Sequence, residues 1–151
     1  MGNENIIEEA DTLPGASHPR LAKKLVGHEI AFDTFVKSYR RGTLHHAWLL
    51  TGPKGIGKAT LAWKLSEELI NERGLVPPDP KIEENLKGQF KALPLQNLYL
   101  CRRPYDDKTK RLKKYITVDE IRKLKGFFNL SAIEKTWRIA LIDCADELNK
   151  S

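Results

Sequence analysis

The sequence predicts a single α/β domain built around a phosphate-binding loop, and three observations carry that reading. A continuously apolar run, Ala47-Trp48-Leu49-Leu50, leads into Gly52-Pro53-Lys54-Gly55-Ile56-Gly57-Lys58, and an amphipathic stretch follows at once. A second apolar run, Ile139-Ala140-Leu141-Ile142, ends on Asp143. The length of 151 residues suits one core.

Taken in order, residues 1–17 read as a flexible leader, with four acidic and no basic side chains in the first eleven positions. The fold is expected to begin near His18. Ile30, Phe32, Phe35, Val36 and Tyr39 recur at mostly helical spacing, and Gly42 supplies a stop. Residues 47–50 read as a strand covered on both faces, as in a parallel sheet. Residues 58–73 read as a helix whose stripe is Leu61, Ala62, Leu65, Leu69 and Ile70, ended by Gly74.

A weak helix over 81–90 and a strand over 97–101 should follow, feeding a basic loop. Thr117 and Glu120 stand at capping-box spacing, so a helix should start there and run through Ile121, Leu124 and Phe128. Residues 137–143 read as a third buried strand, and Asp146-Glu147-Leu148-Asn149 as the start of another helix. Trp48, Trp63 and Trp137 fall inside these elements and are assigned to the core. His45-His46 lacks metal partners at ligand spacing and is given a packing or capping role.

Composition narrows the classes. Hydrophobic residues at 40% and charged residues at 30% fit a globular chain. No apolar run approaches the roughly 18 residues of a membrane helix, and the acidic leader does not resemble a secretory signal. Two cysteines, Cys101 and Cys144, cannot build a disulfide framework or a zinc site. A cytoplasmic location and no membrane contact are the expectations. The net charge of +6 lies in residues 81–151, where sixteen basic side chains face ten acidic ones. Arg102, Arg103, Lys108, Lys110, Arg111, Lys113 and Lys114 cluster around only Asp106 and Asp107. Such a stretch should be exposed and mobile. It is read either as a solvated loop or as a contact for a polyanion, DNA or an acidic protein face.

The chemistry lies in residues 52–58. A G-x-x-x-x-G-K pattern between a strand and a helix lets glycine backbone wrap close to phosphates, with successive N–H groups and a helix N-terminus facing the anion. Lys58 adds a point charge near the outer phosphates. Asp143, at the end of an apolar strand, is the matching acid that would hold Mg²⁺ directly or through water. Two positions depart from this pattern. Ala59 stands where a Ser or Thr hydroxyl would ligate Mg²⁺, and Thr60 falls about 100° further round the helix. Cys144 stands where many such ATPases carry the water-activating Glu, with Asp146 and Glu147 further on, and a thiol is a poor base at neutral pH. Nothing supports Cys144 as a nucleophile.

These segments together resemble the clamp-loader AAA+ family of bacterial DNA polymerase III, in its delta-prime branch of the alphaproteobacterial type. The resemblance is carried by Leu25-Val26-Gly27-His28-Glu29, by 42–53, by Gly55-Ile56-Gly57-Lys58, by Ile116-Thr117-Val118-Asp119-Glu120-Ile121-Arg122 and by 142–149. It implies a P-loop three-layer α/β/α fold with a mostly parallel sheet, incomplete here. Residues 18–151 would form the N-terminal part of an AAA+ domain whose remaining strands, lid and collar lie beyond. Sheet order 5-1-4-3-2 would separate strand 47–50 from strand 138–143, leaving a gap covered by a partner, closed by direct pairing or open as an edge.

The resemblance also implies an adenine pocket lined by Val26 and Gly27, a phosphate loop of Gly52, Pro53, Lys54, Gly55, Ile56, Gly57, Lys58, Ala59 and Thr60, and Asp143 as the second acid. The implied cofactor is ATP or ADP with Mg²⁺ held weakly, and no zinc, since only Cys101 remains of the four cysteines many relatives carry there. The implied partners are the gamma/tau and delta subunits, with the sliding clamp and primed DNA reached through the complex. Delta-prime subunits typically act as a rigid stator, which agrees with Ala59 and Cys144. The competing reading is an active P-loop ATPase of DNA metabolism in which Thr60, Asp146 or Glu147 restores the missing groups.

Overall fold

The computed structural model describes residues 15–71, 97–129 and 137–148. Helix α1 spans Glu29–Arg40, α2 Lys58–Asn71 and α3 Val118–Asn129; strands are β1 Leu98–Cys101, β2 Tyr105–Asp106, β3 Arg111–Leu112 and β4 Ile139–Ile142. Of the expected leader over 1–17 the first fourteen residues lie outside the described residues, as do the weak helix over 81–90 and the stop at Gly74.

Strands β1 and β4 pair in parallel, with Leu98 opposite Ile139 and Cys101 opposite Ile142. Side chains alternate across a strand, and the packing follows that period. Leu98, Leu100, Ile139 and Leu141 pack with Trp63 and Ile70 of α2. Tyr99 turns the other way, its ring 5.7 Å from that of Phe127 of α3 and its hydroxyl donating to the Glu120 carbonyl and carboxylate at 3.2 and 3.1 Å. The parallel sheet therefore lies between α2 and α3, a partial AAA+-type α/β/α arrangement in three layers.

Helix α2 is buried on two sides. Leu61, Leu65 and Leu69, four residues apart, form a stripe packed with Phe35 of α1. Trp63, about 200° from Leu61 round the helix, faces the sheet instead. Burying each such side chain stabilises by about 1.5–3 kcal/mol, so α2 is the main tie between α1 and the sheet. At the C-terminal end of α3, Arg138 donates to the carbonyls of Phe127 and Phe128 at 2.9 and 3.2 Å, satisfying last-turn acceptors with a cation.

Several sequence expectations need correction. Residues 47–50 form no strand: β1 and β4 pair with each other and neither offers them a ladder. Leu49 is 77% exposed, while Leu50 packs on the α1–α2 cluster. With no strand at 47–50, the expected sheet order around it has nothing to act on; Leu50 and Ile139 pack against the same cluster. Trp48 and Trp137 are correspondingly half open, against Phe35 and Tyr39; Trp63 alone of the three is core. His45 and His46 are exposed and stack on each other at 4.6 Å. The helix expected from Asp146 is a 3-10 turn over Ala145–Glu147. Thr117 does open α3, its carbonyl accepting from Ile121 N–H, but the Glu120 carboxylate serves Tyr99 and Lys123.

The basic stretch is a small hairpin. Strands β2 and β3 pair antiparallel, Tyr105 opposite Leu112 and Asp106 opposite Arg111. Asp106 Oδ1 accepts from the N–H groups of Lys108 and Thr109 at 2.9 and 3.1 Å, a turn that the Asp side chain favours. Lys108, Lys110 and Lys113 are exposed, as expected.

Candidate functional site

The phosphate-loop residues occupy the turn between 47–50 and α2. Gly52, Gly55 and Gly57 have φ of 141°, 88° and 97°, values that side-chain-bearing residues rarely adopt. At Gly52 a Cβ would also stand 2.8 Å from Ile56 Cδ1. Pro53, Lys54 and Ile56 are exposed on the loop. Lys58 is the first residue of α2, and its Nζ donates to the carbonyl oxygens of Gly52 and Pro53, both at 2.8 Å. The lysine thus bends over the loop it terminates, at the positive end of a 14-residue helix. Ala59 and Thr60 follow in the first turn, half-buried.

The segment before α1 reaches the same loop. Gly27 and His28 are consecutive left-handed residues, φ 72° and 67°, which turn the chain into α1. His28 Nε2 donates to the Ile56 carbonyl oxygen at 2.7 Å, and a Cβ on Gly57 would stand 3.5 Å from that nitrogen. The sequence reading assigned His28 no role; its place directly after Gly27 was the available signal. Beside this junction lies a cleft of about 310 Å³, lined by Leu25, Gly27, Phe32, Asp33 and Lys64 among others. Gly27 stands in its wall, whereas Val26 is 86% exposed and does not line it.

Asp143 follows β4, its N–H donating to the Cys101 carbonyl at 2.9 Å. It is linked to the phosphate loop through α2, on which Ile139 of the same strand packs. Cys144 comes next, itself left-handed at φ 57°. Partial burial, then the carboxylates of Asp143, Glu147 and Asp146, hold its thiol above the ordinary value, so its thiolate is scarcer still. Glu147 is engaged with Arg103 at 2.8 Å.

The residues suit a phosphate group. A lysine ammonium, glycines that leave the backbone uncovered and a helix N-terminus converge on one loop. They suit a divalent cation less well, since Ala59 has no oxygen to offer. Among the described residues there is no His, Cys, Asp or Glu cluster that could hold a metal ion by itself, and no helix is long and apolar enough to cross a membrane.

The chain is similar to known proteins of bacterial DNA polymerase III. DNA polymerase III subunit gamma of Buchnera aphidicola subsp. Acyrthosiphon pisum (strain APS) is 27% identical over 125 residues, 83% of this chain and 32% of that protein. Its counterpart from Buchnera aphidicola subsp. Schizaphis graminum (strain Sg) is 35% identical over 57 residues, 38% of this chain and 16% of that protein. The chain spans about a third or less of these curated relatives, and no solved structure matches it. The family model described as DNA polymerase III, delta subunit, matches residues 27–151. That match begins at the left-handed turn before α1 and takes in the phosphate loop, both parallel strands and Asp143, so the chain belongs to the DNA polymerase III, delta subunit, family.

Proposed function

We propose that this chain is the nucleotide-fold part of a delta-prime-type clamp-loader subunit, a scaffold that holds ATP or ADP without turning it over. Its partners in this reading are the gamma/tau and delta subunits, and through them the sliding clamp and primed DNA. One observation carries the proposal: the phosphate-holding half of the site is assembled, with Lys58 folded over Gly52 and Pro53, while Ala59 and Cys144 occupy the positions of the metal ligand and the base. Gly52, Gly55 and Gly57 would admit the phosphates, and Lys58 would leave the loop carbonyls for the stronger acceptor.

The alternative, an active ATPase, requires another carboxylate to activate water. The geometry of Glu147 weighs against it, because its carboxylate is paired with Arg103. The test is nucleotide binding and steady-state ATP hydrolysis by the purified protein and by Lys58→Ala. The expected result is binding that depends on Lys58 and no hydrolysis above the variant. Robust, Lys58-dependent turnover would establish the ATPase reading in its place.

A further inference from the structure

We infer that the β2–β3 hairpin is a docking edge for the phosphate backbone of duplex DNA, bound without regard to sequence. Over 105–115 the hairpin carries Lys108, Lys110, Arg111, Lys113 and Lys114 against Asp106 and Asp107, five charges against two, a local net of +3. All five basic residues are exposed, and none is in an ion pair among the described residues. Asp106, held below the usual carboxylate range by the N–H groups of Thr109 and Lys108, is occupied inside the turn.

The base of the hairpin is fixed where its tip is charged. Lys113 N–H donates to the Pro104 carbonyl and Ile116 N–H to that of Glu147, at 2.9 and 2.8 Å. Ile116 is 1% exposed, and Arg103 pairs with Glu147 directly before the hairpin. The cations therefore stand on an anchored ribbon, which lowers the cost of ordering them on a partner. Tip residues 107–110 are Asp, Lys, Thr and Lys. An acidic protein face would find no apolar anchor at this tip, and such anchors dominate protein interfaces; the exposed ring, Tyr115, lies at the far end of the ribbon with Lys114 Nζ 5.2 Å from its centroid. A phosphate backbone requires none, because its attraction comes from charge and counterion release.

The surface is separate from the phosphate loop, so a failure here leaves nucleotide binding through Lys58 untouched. The experiment is fluorescence anisotropy of a short labelled DNA duplex titrated with the whole chain at several salt concentrations, for the wild type and a K108E/K110E/K113E variant. Five phosphate contacts would weaken wild-type binding about 500-fold between 50 and 200 mM salt, and two remaining contacts about tenfold. The variant should bind at least about tenfold more weakly at low salt, with a shallower salt slope. Because the three lysines are exposed, its thermal melt should match the wild type. Equal binding by the folded variant overturns the proposal. So does competition by poly-glutamate as effective as that by unlabelled duplex, which would mark a protein-binding surface.

Discussion

His28 Nε2 donates to the main-chain oxygen of Ile56 at 2.7 Å, across 28 positions of sequence. The bond ties the turn before α1 to the middle of the phosphate loop. His28 sits left-handed at φ 67°, a conformation costing a non-glycine residue roughly 1–2 kcal/mol. The imidazole contact offsets part of that cost and sets the loop's outline at Ile56-Gly57.

Replacing His28 by Ala should therefore leave the backbone strain in place and remove the tie. As the bond is exposed, stability should fall by only about 0.5 kcal/mol, whereas amide exchange at Gly55, Ile56 and Gly57 should quicken. Nucleotide binding should weaken by a few-fold. His28→Asn, which tolerates the left-handed turn, should lose the tie with less strain. Unchanged exchange in both variants would mean that the loop holds its shape without His28.

Leu61 of α2 and Leu49 of the apolar run before the loop predict a contrast in stability. Leu61 is 3% exposed within the α1–α2 cluster, so Leu61→Ala should cost about 2–5 kcal/mol in urea unfolding. Leu49, part of an equally apolar run, is 77% exposed, and Leu49→Ala should stay within about 0.5 kcal/mol. Similar losses for both would show that residues 47–50 are packed after all.

That contrast shows what the sequence made legible. Helical spacing located α1, α2 and α3 because i, i+4 periodicity is a local property, and the apolar run ending at Asp143 located β4. A strand at 47–50 was not decidable in the same way, since a ladder depends on which distant segment lies alongside. β1 and β4 take each other. The same non-locality hid the His28–Ile56 bond and the capture of Glu120 by Tyr99. The hairpin was missed for another reason: strands of two residues are too short for an alternation pattern, although Asp106 before a Lys-Thr-Lys stretch did mark the turn. The resemblance implied three layers, but which helices form the outer two depended on Leu98 facing α2 and Tyr99 facing α3.

Tyr99 gives a pH prediction. Burial first, then the charge and hydrogen bond of Glu120, raise its phenol above the ordinary value of 10.0. A raised pKa means that the folded state binds the proton more tightly, so the contribution is full below pH 10 and is lost as the unfolded chain ionises above it. Chemical unfolding at pH 9 and pH 11 should show the wild type losing stability over that interval. Tyr99→Phe should lose less, after allowance for the lysines both proteins share. An identical loss in the two would assign the alkaline sensitivity elsewhere.

The last prediction separates the phosphate from the metal in the proposed nucleotide site. Lys58 and the loop glycines attract phosphate through charge and backbone, neither of which needs Mg²⁺, while Ala59 provides no oxygen where a hydroxyl would ligate the ion. Wild-type affinity for an ATP analogue should therefore change by less than about threefold when Mg²⁺ is replaced by EDTA. Ala59→Thr restores a hydroxyl at the second residue of α2, and one added charge-assisted contact of about 1.5 kcal/mol corresponds to roughly tenfold tighter binding, present only with Mg²⁺. Adding Cys144→Glu supplies a carboxylate in place of a thiol held mostly protonated. General-base assistance is worth about 10² to 10⁴ in rate, so any turnover should appear in the double variant and not in Ala59→Thr alone. A wild type whose nucleotide binding collapses in EDTA would show that the metal is held without a residue at position 59, and the scaffold reading would lose its main support.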